Sequence, residues 1–209
     1  EDVSLRGSFS AAVHRPGDAS WWLLRDRLGR KPLYYSKIDH CLLFASELKA
    51  LLASGLVRKS LNLSSLDRML TLGCVPGDTT IVEGVHRVPP GKVVVFSDGK
   101  VQTRAFSGFD LHDRDMPREQ AAERLRGLLR QAVNRHDAED LLWASGIDCA
   151  AIAALRQRVA PFFVTLERPW QDEVKLAKES ARLLKLRLRV ASAHRLTADA
   201  FRKAVFHLD

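Results

Sequence analysis

One stretch in the second half of the chain limits its possible folds: an apolar run, two small residues and an alanine-rich segment follow each other directly. Residues 141–144 are apolar and predict a buried parallel strand, and Ser145 and Gly146 predict a tight turn. Residues 149–155 have high helix propensity. A strand, a tight turn and a helix start aim the first backbone N–H groups of the helix at one point. Such an arrangement suits an anion such as phosphate.

An acidic residue, Asp148, lies at the start of this predicted helix. A carboxylate beside a bound phosphate can hold Mg²⁺ through its oxygens. The sequence therefore predicts an anion-binding turn with Asp148 as its metal ligand. The alternative is a purely structural turn, which is the commoner role of small residues between a strand and a helix.

Helical and strand-like segments alternate around this turn. The predicted elements are a helix beginning near Pro117, a strand at 141–144, a helix ending at 158, a strand at 162–166, a helix at 172–184, a strand at 186–190 and a helix at 197–206. In the helix at 172–184, we expect Ala177, Ala181 and Leu184 to face inward. This order predicts a doubly wound α/β unit whose parallel sheet binds its ligand at the carboxyl ends of the strands.

The first half of the chain has shorter segments, typical of hairpins. The predicted elements are strands at 5–13 and 21–24, a strand at 41–45, a helix at 46–52 with Ser46 as its cap, a helix at 61–73, and a hairpin of strands 93–96 and 101–106. The polar, aperiodic stretch 108–117 predicts a linker between the two halves.

Composition narrows the class of protein. The 209 residues are 46% apolar and 28% charged, which indicates a globular chain, and no apolar run approaches the length of a membrane span. The three cysteines, Cys41, Cys74 and Cys149, form no CxxC motif and favour a reducing, cytoplasmic location. The net charge of +8 is spread over predicted helices and no run of Lys or Arg exceeds two residues, so a nucleic-acid partner is not favoured.

Several motifs in the first half resemble the late part of the glutaminase domain of asparagine synthetases. They are RDRLG at 25–29, KPLYY at 31–35, FASELKAL at 44–51, TTI at 79–81 and PPG at 89–91. The resemblance implies that residues 1–107 are the C-terminal part of an α+β N-terminal-nucleophile domain, with two stacked sheets between helix layers. The family's nucleophilic cysteine lies upstream of this region, so no glutaminase site is expected within the chain. We interpret Arg25 and Asp26 as an ion pair that holds a bend, not as chemistry.

The turn in the second half resembles the family's pyrophosphate loop, usually leucine, serine, glycine, glycine, any residue, aspartate, serine. The corresponding residues are Trp143, Ala144, Ser145, Gly146, Ile147, Asp148 and Cys149. Gly146 and Asp148 match the pattern, whereas Ala144 and Cys149 replace two serines and remove two hydroxyl donors.

The resemblance implies that 118–209 is the N-terminal part of a pyrophosphate-loop ATPase-type synthetase domain. It implies ATP and Mg²⁺ as cofactors, with Asp148 as the Mg²⁺ ligand and the N–H groups around 145–149 as pyrophosphate donors. Trp143 and Thr165 fall at the positions that frame the adenine. It places no catalytic residue in the chain.

The implied activity is ATP-dependent amide-bond formation through an acyl-adenylate, which in the parent family converts aspartate to asparagine. The first alternative is intramolecular amide formation, as in lasso-peptide cyclases and β-lactam synthetases. The second is a degenerate, non-catalytic nucleotide-binding or scaffold subunit, and a third is RNA binding. The expected partners are a small-molecule or peptide carboxylate and either the remaining segments of the same enzyme or further copies of the chain. Both termini look cut, so we expect the chain to be an internal piece of a longer protein.

Overall fold

The computed structural model describes residues 5, 7–14, 16–106, 115–136, 139–144, 146–156, 159–166, 171–193 and 197–208. The chain divides into two compact units between residues 111 and 112. Both units contain strands and helices, so the fold is mixed α/β. Residues 107–114, which include most of the predicted linker, lie outside the described residues.

Unit 1 (residues 1–111) contains two antiparallel sheets. Its elements are β1 (Ser10–His14), β2 (Trp21–Arg25), β3 (Tyr34–Ile38), β4 (Cys41–Ala45), α1 (Leu48–Ala53), α2 (Leu63–Leu72), β5 (His86–Arg87), β6 (Lys92–Ser97) and β7 (Lys100–Ala105). One sheet has the strand order β1-β2-β6-β7 and the other β4-β3-β5.

The two sheets of unit 1 share one apolar core. Leu23 on β2 and Val94 on β6 are opposite each other in the first sheet, and both have no exposed surface. They pack with Tyr35 on β3 of the second sheet. A separate cluster on the other face of β3 and β4 includes Leu51 of α1. The layers are therefore sheet, sheet and helix, and the expected stacking of two sheets is present.

Three strands and one helix cap of unit 1 differ from the sequence predictions. The prediction missed β3 because its side chains are buried on both faces, which removes the alternation of polar and apolar residues. It missed β5 because two residues are too short for a pattern. Ser46 is not the cap of α1, since Glu47 holds that position without a side-chain hydrogen bond. The first strand begins at Ser10 and not at residue 5.

The bend after β2 is organised by the buried carboxylate of Asp26, whose residue is only 1% exposed. Its Oδ1 accepts hydrogen bonds from the backbone N–H groups of Leu28 and Arg30, and its Oδ2 accepts one from Lys31, each 3.1 Å long. The main-chain oxygen of Asp26 accepts from Gly91, which lies just before β6, at 3.0 Å. One residue thus joins the bend to the start of another strand.

Arg25, the last residue of β2, is also buried and also bonds to main-chain atoms. Its guanidinium donates to the carbonyl oxygens of Lys31 and Val88, both at 2.9 Å, and to that of Gly29. Arg25 and Asp26 both hold the bend, as predicted. They do so through the hydrogen bonds to main-chain atoms described above, whereas the prediction was an ion pair between the two side chains.

The hydrogen bonds around Asp26 also set its ionisation. Burial alone would raise the pKa of the Asp26 carboxyl, but the backbone N–H groups of Arg30, Lys31 and Leu28 together lower it below its ordinary value. The carboxylate is therefore the form that the fold stabilises.

Unit 2 (residues 112–208) is built around a parallel sheet. Its elements are α3 (Arg118–Asn134), β8 (Asp140–Leu142), α4 (Ile147–Leu155), β9 (Ala160–Leu166), α5 (Gln171–Leu183), β10 (Arg189–Ala193) and α6 (Ala198–Leu208). The strands are parallel in the order β10-β9-β8, and the predicted alternation of helices and strands is confirmed. The last strand begins three residues later than predicted. The predicted end of the helix at 158 lies outside the described residues.

The core of unit 2 contains Trp143, Phe163 and two predicted inward-facing residues of α5, Ala177 and Ala181. The third predicted residue, Leu184, is partly buried and packs against this core. These two alanines are 0% and 1% exposed, which confirms their predicted orientation. The predicted continuous burial of 141–144 is wrong, because Leu142 is 60% exposed. Among the described residues, no helix combines the length and the apolar character needed to cross a membrane.

Replacing Asp26 by asparagine is expected to destabilise unit 1 by about 2–4 kcal/mol. One carboxylate oxygen becomes an NH₂ group, which faces buried N–H donors that then lack an acceptor. Asp98 provides a matched control, since it lies in an exposed turn with a φ of 49° that asparagine tolerates well. Urea unfolding at neutral pH measures both free energies. Equal values for D26N and D98N would contradict the role assigned to Asp26.

Replacing Gly29 by alanine is expected to cost more stability than the same change at Gly17. Both glycines have a positive φ, of 64° and 85°, so both variants carry backbone strain. At Gly29, however, a Cβ would lie 2.8 Å from Cγ of Pro90, whereas at Gly17 it meets nothing within 4 Å. We expect a difference of about 1–3 kcal/mol in the free energy of unfolding. Equal losses would show that the Arg25-Asp26 bend tolerates a side chain at residue 29.

Candidate functional site

The turn between β8 and α4 lies at the carboxyl edge of the parallel sheet. β8 ends at Leu142, and the Trp143 N–H then donates to the Phe162 carbonyl of β9 at 2.7 Å. α4 begins at Ile147 after Gly146, which is extended with φ −76° and ψ 160°. Ser145, the first small residue of the predicted turn, lies outside the described residues.

The first turn of α4 lacks a side-chain cap. Gly146 occupies the cap position and has no side chain that could accept a hydrogen bond from the N–H groups of the first turn. Such N–H groups have no partner within the helix and lie at its positive end. The geometry therefore leaves donors for an anion or for water at this point.

Asp148 is the second residue of α4 and is exposed. An acidic side chain in the first turn also stabilises the helix through its dipole, so its position has a structural explanation too. Within the described residues, no group of three His, Cys, Asp or Glu side chains could hold a metal ion. A single carboxylate such as that of Asp148 could hold Mg²⁺ only if water or phosphate oxygens filled the other positions around the ion.

The thiol of Cys149 forms hydrogen bonds across the turn. Its Sγ accepts the N–H of Ala144 at 3.4 Å and donates to the Leu142 carbonyl at 3.6 Å. The thiol thus takes a place where the family's pattern has a serine hydroxyl, and it bonds to the protein's own main chain. Ile147 is 83% exposed and contributes its backbone to the helix start.

Trp143, which the resemblance places at the position that frames the adenine, lies in the core of unit 2. Its ring is 2% exposed and packs in the core of unit 2. Its indole Nε1 donates to the hydroxyl of Ser180 on α5 at 3.3 Å. The indole N–H and the backbone N–H of Trp143 therefore both have partners within unit 2. Sequence reasoning missed Ser180, because the two residues are 37 positions apart and no local pattern joins them.

Thr165 lies on β9 near the same edge of the sheet and is half-buried. It pairs with Ser192 of β10 and is three residues beyond Phe162, the partner of Trp143. That spacing along a strand corresponds to about 10 Å. Thr165 and the turn therefore share one edge of the sheet, as expected, at a separation that a nucleotide can span.

A cavity of about 370 Å³ in unit 2 lies away from this turn. It is lined by residues such as Leu129 of α3, Asp140 at the start of β8 and Arg156 after α4. These positions mark the amino edge of β8, opposite the edge that carries Gly146 and Asp148. The cavity and the candidate turn are therefore separate features.

Comparison with known proteins assigns the family. The sequence model of the glutamine amidotransferase domain matches residues 3–107, half of the chain. The chain belongs to this family. Its two-sheet unit 1 is thus a glutamine amidotransferase-type domain.

The relatives of this amidotransferase chain include asparagine synthetases. Glutamine-hydrolysing asparagine synthetase 1 of Bacillus subtilis (strain 168) is 26% identical over 189 residues, which cover 86% of the chain and 30% of that protein. Asparagine synthetase 3 of the same organism is 28% identical over 157 residues, covering 72% of the chain and 25% of that protein. Amidase chry2 of Gibberella zeae is 27% identical over 161 residues, covering 72% and 23%. The chain spans less than a third of each relative. These matches confirm the predicted relationship to the asparagine synthetase family.

The contacts of Cys149 predict a difference in thiol reactivity. Cys41 and Cys74 are exposed, whereas Cys149 is half-buried and its thiol bonds to the main chain. A maleimide reagent is therefore expected to modify Cys149 about tenfold more slowly than the other two, since access and a free thiolate set the rate. Peptide mass spectrometry over a time course measures the three rates. Equal labelling of all three cysteines would mean that the turn is open at Cys149.

Proposed function

We propose that unit 2 binds ATP with Mg²⁺ at the turn between β8 and α4, and that the protein forms amide bonds through an acyl-adenylate. The observation that carries the proposal is the uncapped start of α4 at the carboxyl edge of a parallel sheet. Open sheets of this kind bind ligands at that edge, and a helix start of this kind attracts phosphate.

Homology supports the assignment of unit 2. The match to asparagine synthetase 1 covers 86% of the 209 residues, more than the 111 residues of unit 1. The similarity to a synthetase therefore continues beyond the amidotransferase domain into the unit that contains the turn.

Each group at the turn has a proposed part in binding. The N–H groups of the first turn of α4 bind the pyrophosphate part of ATP. Asp148 holds Mg²⁺, which neutralises the phosphates and removes their repulsion of the carboxylate. Thr165 and the carbonyl of Trp143 border the adenine.

The proposed reaction has two steps. A substrate carboxylate oxygen attacks the α-phosphorus of ATP, so that pyrophosphate leaves and an acyl-adenylate forms. An amine then attacks the acyl carbon, the amide bond forms and AMP leaves. Binding the leaving pyrophosphate at a helix start lowers the barrier of the first step, because negative charge develops there. We propose aspartate as the carboxylate and ammonia as the amine, as the resemblance to asparagine synthetases implies.

Two alternatives differ from this proposal in separate ways. Intramolecular amide formation, as in lasso-peptide cyclases and β-lactam synthetases, keeps the adenylation step and changes the attacking amine. A non-catalytic subunit, in contrast, keeps the fold and loses nucleotide binding. The contacts of Cys149 with Ala144 and Leu142 favour this second alternative, because they close the turn without a ligand. A cytoplasmic location and a carboxylate substrate remain part of the proposal.

Mg²⁺-dependent binding of ATP is the direct test. We expect a dissociation constant on the order of micromolar by calorimetry, and an increase of at least about tenfold for D148N, since a ligand of Mg²⁺ is lost. D199N is the matched control, because Asp199 is likewise an exposed acidic residue in the first turn of a helix, α6. It should bind as the unchanged protein does.

Absence of Mg·ATP binding by the unchanged chain would instead favour the non-catalytic subunit. Equal affinities of D148N and D199N would show that Asp148 is not a ligand of the metal.

A further inference from the structure

We propose that Ser180 on α5 is a positioning residue for the nucleotide-binding turn, acting through Trp143. This inference rests on the proposed function of that turn. Ser180 has no place in the family's loop pattern, and it lies on a helix that follows a different strand.

Trp143 is the last residue before the turn whose backbone is hydrogen-bonded to the sheet. Its N–H still donates to Phe162 of β9, at 2.7 Å. The next N–H, that of Ala144, leaves the sheet and reaches the sulfur of Cys149. The orientation of Trp143 therefore sets the direction in which the chain enters the turn.

The Trp143 ring is fixed by one polar contact in an apolar core. The ring is 2% exposed and packs with Phe163 and Ala177. A buried indole N–H requires an acceptor, and the hydroxyl of Ser180 supplies it at 3.3 Å.

Ser180 is itself held in place. Its hydroxyl donates its single proton to the Ala177 carbonyl at 3.1 Å, which leaves the oxygen lone pairs for the indole. Ala177 and Ala181 are 0% and 1% exposed, so this face of α5 is packed closely against the core. The acceptor for the indole is therefore fixed in direction and in position.

The contact between Ser180 and the indole joins two parts of unit 2 that follow different strands. α5 follows β9, whereas the turn follows the neighbouring strand, β8. Without the Ser180 hydroxyl, the indole must seek another acceptor, and the entry to the turn shifts with it. Small displacements of groups that bind a phosphate cause large losses of affinity.

Calorimetric titration of S180A and S180T with Mg·ATP tests the proposal. We expect the dissociation constant of S180A to rise about tenfold, whereas S180T, which keeps the hydroxyl, should remain within about threefold of the unchanged protein. The control is A181G, which perturbs the next, equally buried position of α5 without touching the indole contact. It should lower the melting temperature and leave the dissociation constant unchanged at a temperature where each variant is folded.

A second arm isolates the indole contact. In a W143F background the N–H donor is absent, so S180A should cause no further loss of affinity. Additive losses for W143F and S180A would overturn the proposal, as would loss of affinity in A181G in proportion to its lower melting temperature. If the unchanged chain binds Mg·ATP and S180A binds equally well, the role of Ser180 is wrong and the proposed function stands. If the unchanged chain does not bind, the proposed function fails and this inference fails with it.

Discussion

The buried carboxylate of Asp26 is the interaction on which unit 1 depends. A charge removed from water is tolerated only where hydrogen bonds replace its hydration, and here three backbone N–H groups do so. The main-chain carbonyl of Asp26 accepts a hydrogen bond from the N–H of Gly91, and its N–H donates to the carbonyl of Phe9. The segments before β1 and before β6 therefore meet at this residue. Gly29 is required in this bend because a side chain there would collide with Pro90. The end of one strand thereby sets the register of its neighbours.

In unit 2, too, hydrogen bonds to buried polar groups fix the chain where a strand ends. Where β8 leaves the sheet, main-chain and indole N–H groups are satisfied by the side chains of Cys149 and Ser180. Gly146 provides no side-chain cap for α4, as Glu47 provides none for α1 and Pro117 none for α3. What sets the start of α4 apart is its place at the carboxyl edge of a parallel sheet, where ligands of such sheets bind. The proposed nucleotide site follows from the two features together.

Regular patterns made much of this architecture predictable. The inward face of α5 and the order of elements in unit 2 follow from helical periodicity, and β4 was predicted with its observed bounds. Short or doubly buried strands such as β3 and β5 leave no such pattern, and Ser46 was a suitable cap residue one position too early. The family was recognised from runs such as RDRLG and KPLYY, which periodicity alone does not explain. Ser180 could not be found, because contacts between residues distant in sequence have no local signature.

Locating the bound nucleotide on the chain would test the proposed site at the turn between β8 and α4. A ¹H–¹⁵N correlation spectrum of the labelled chain, recorded during titration with Mg·ATP, reports each backbone amide separately. We expect the largest shift changes at Gly146, Ile147, Asp148 and Cys149, with smaller changes at Thr165. Changes confined to residues around the cavity, such as Leu129 and Arg156, would contradict the proposed site, and so would a spectrum that does not change.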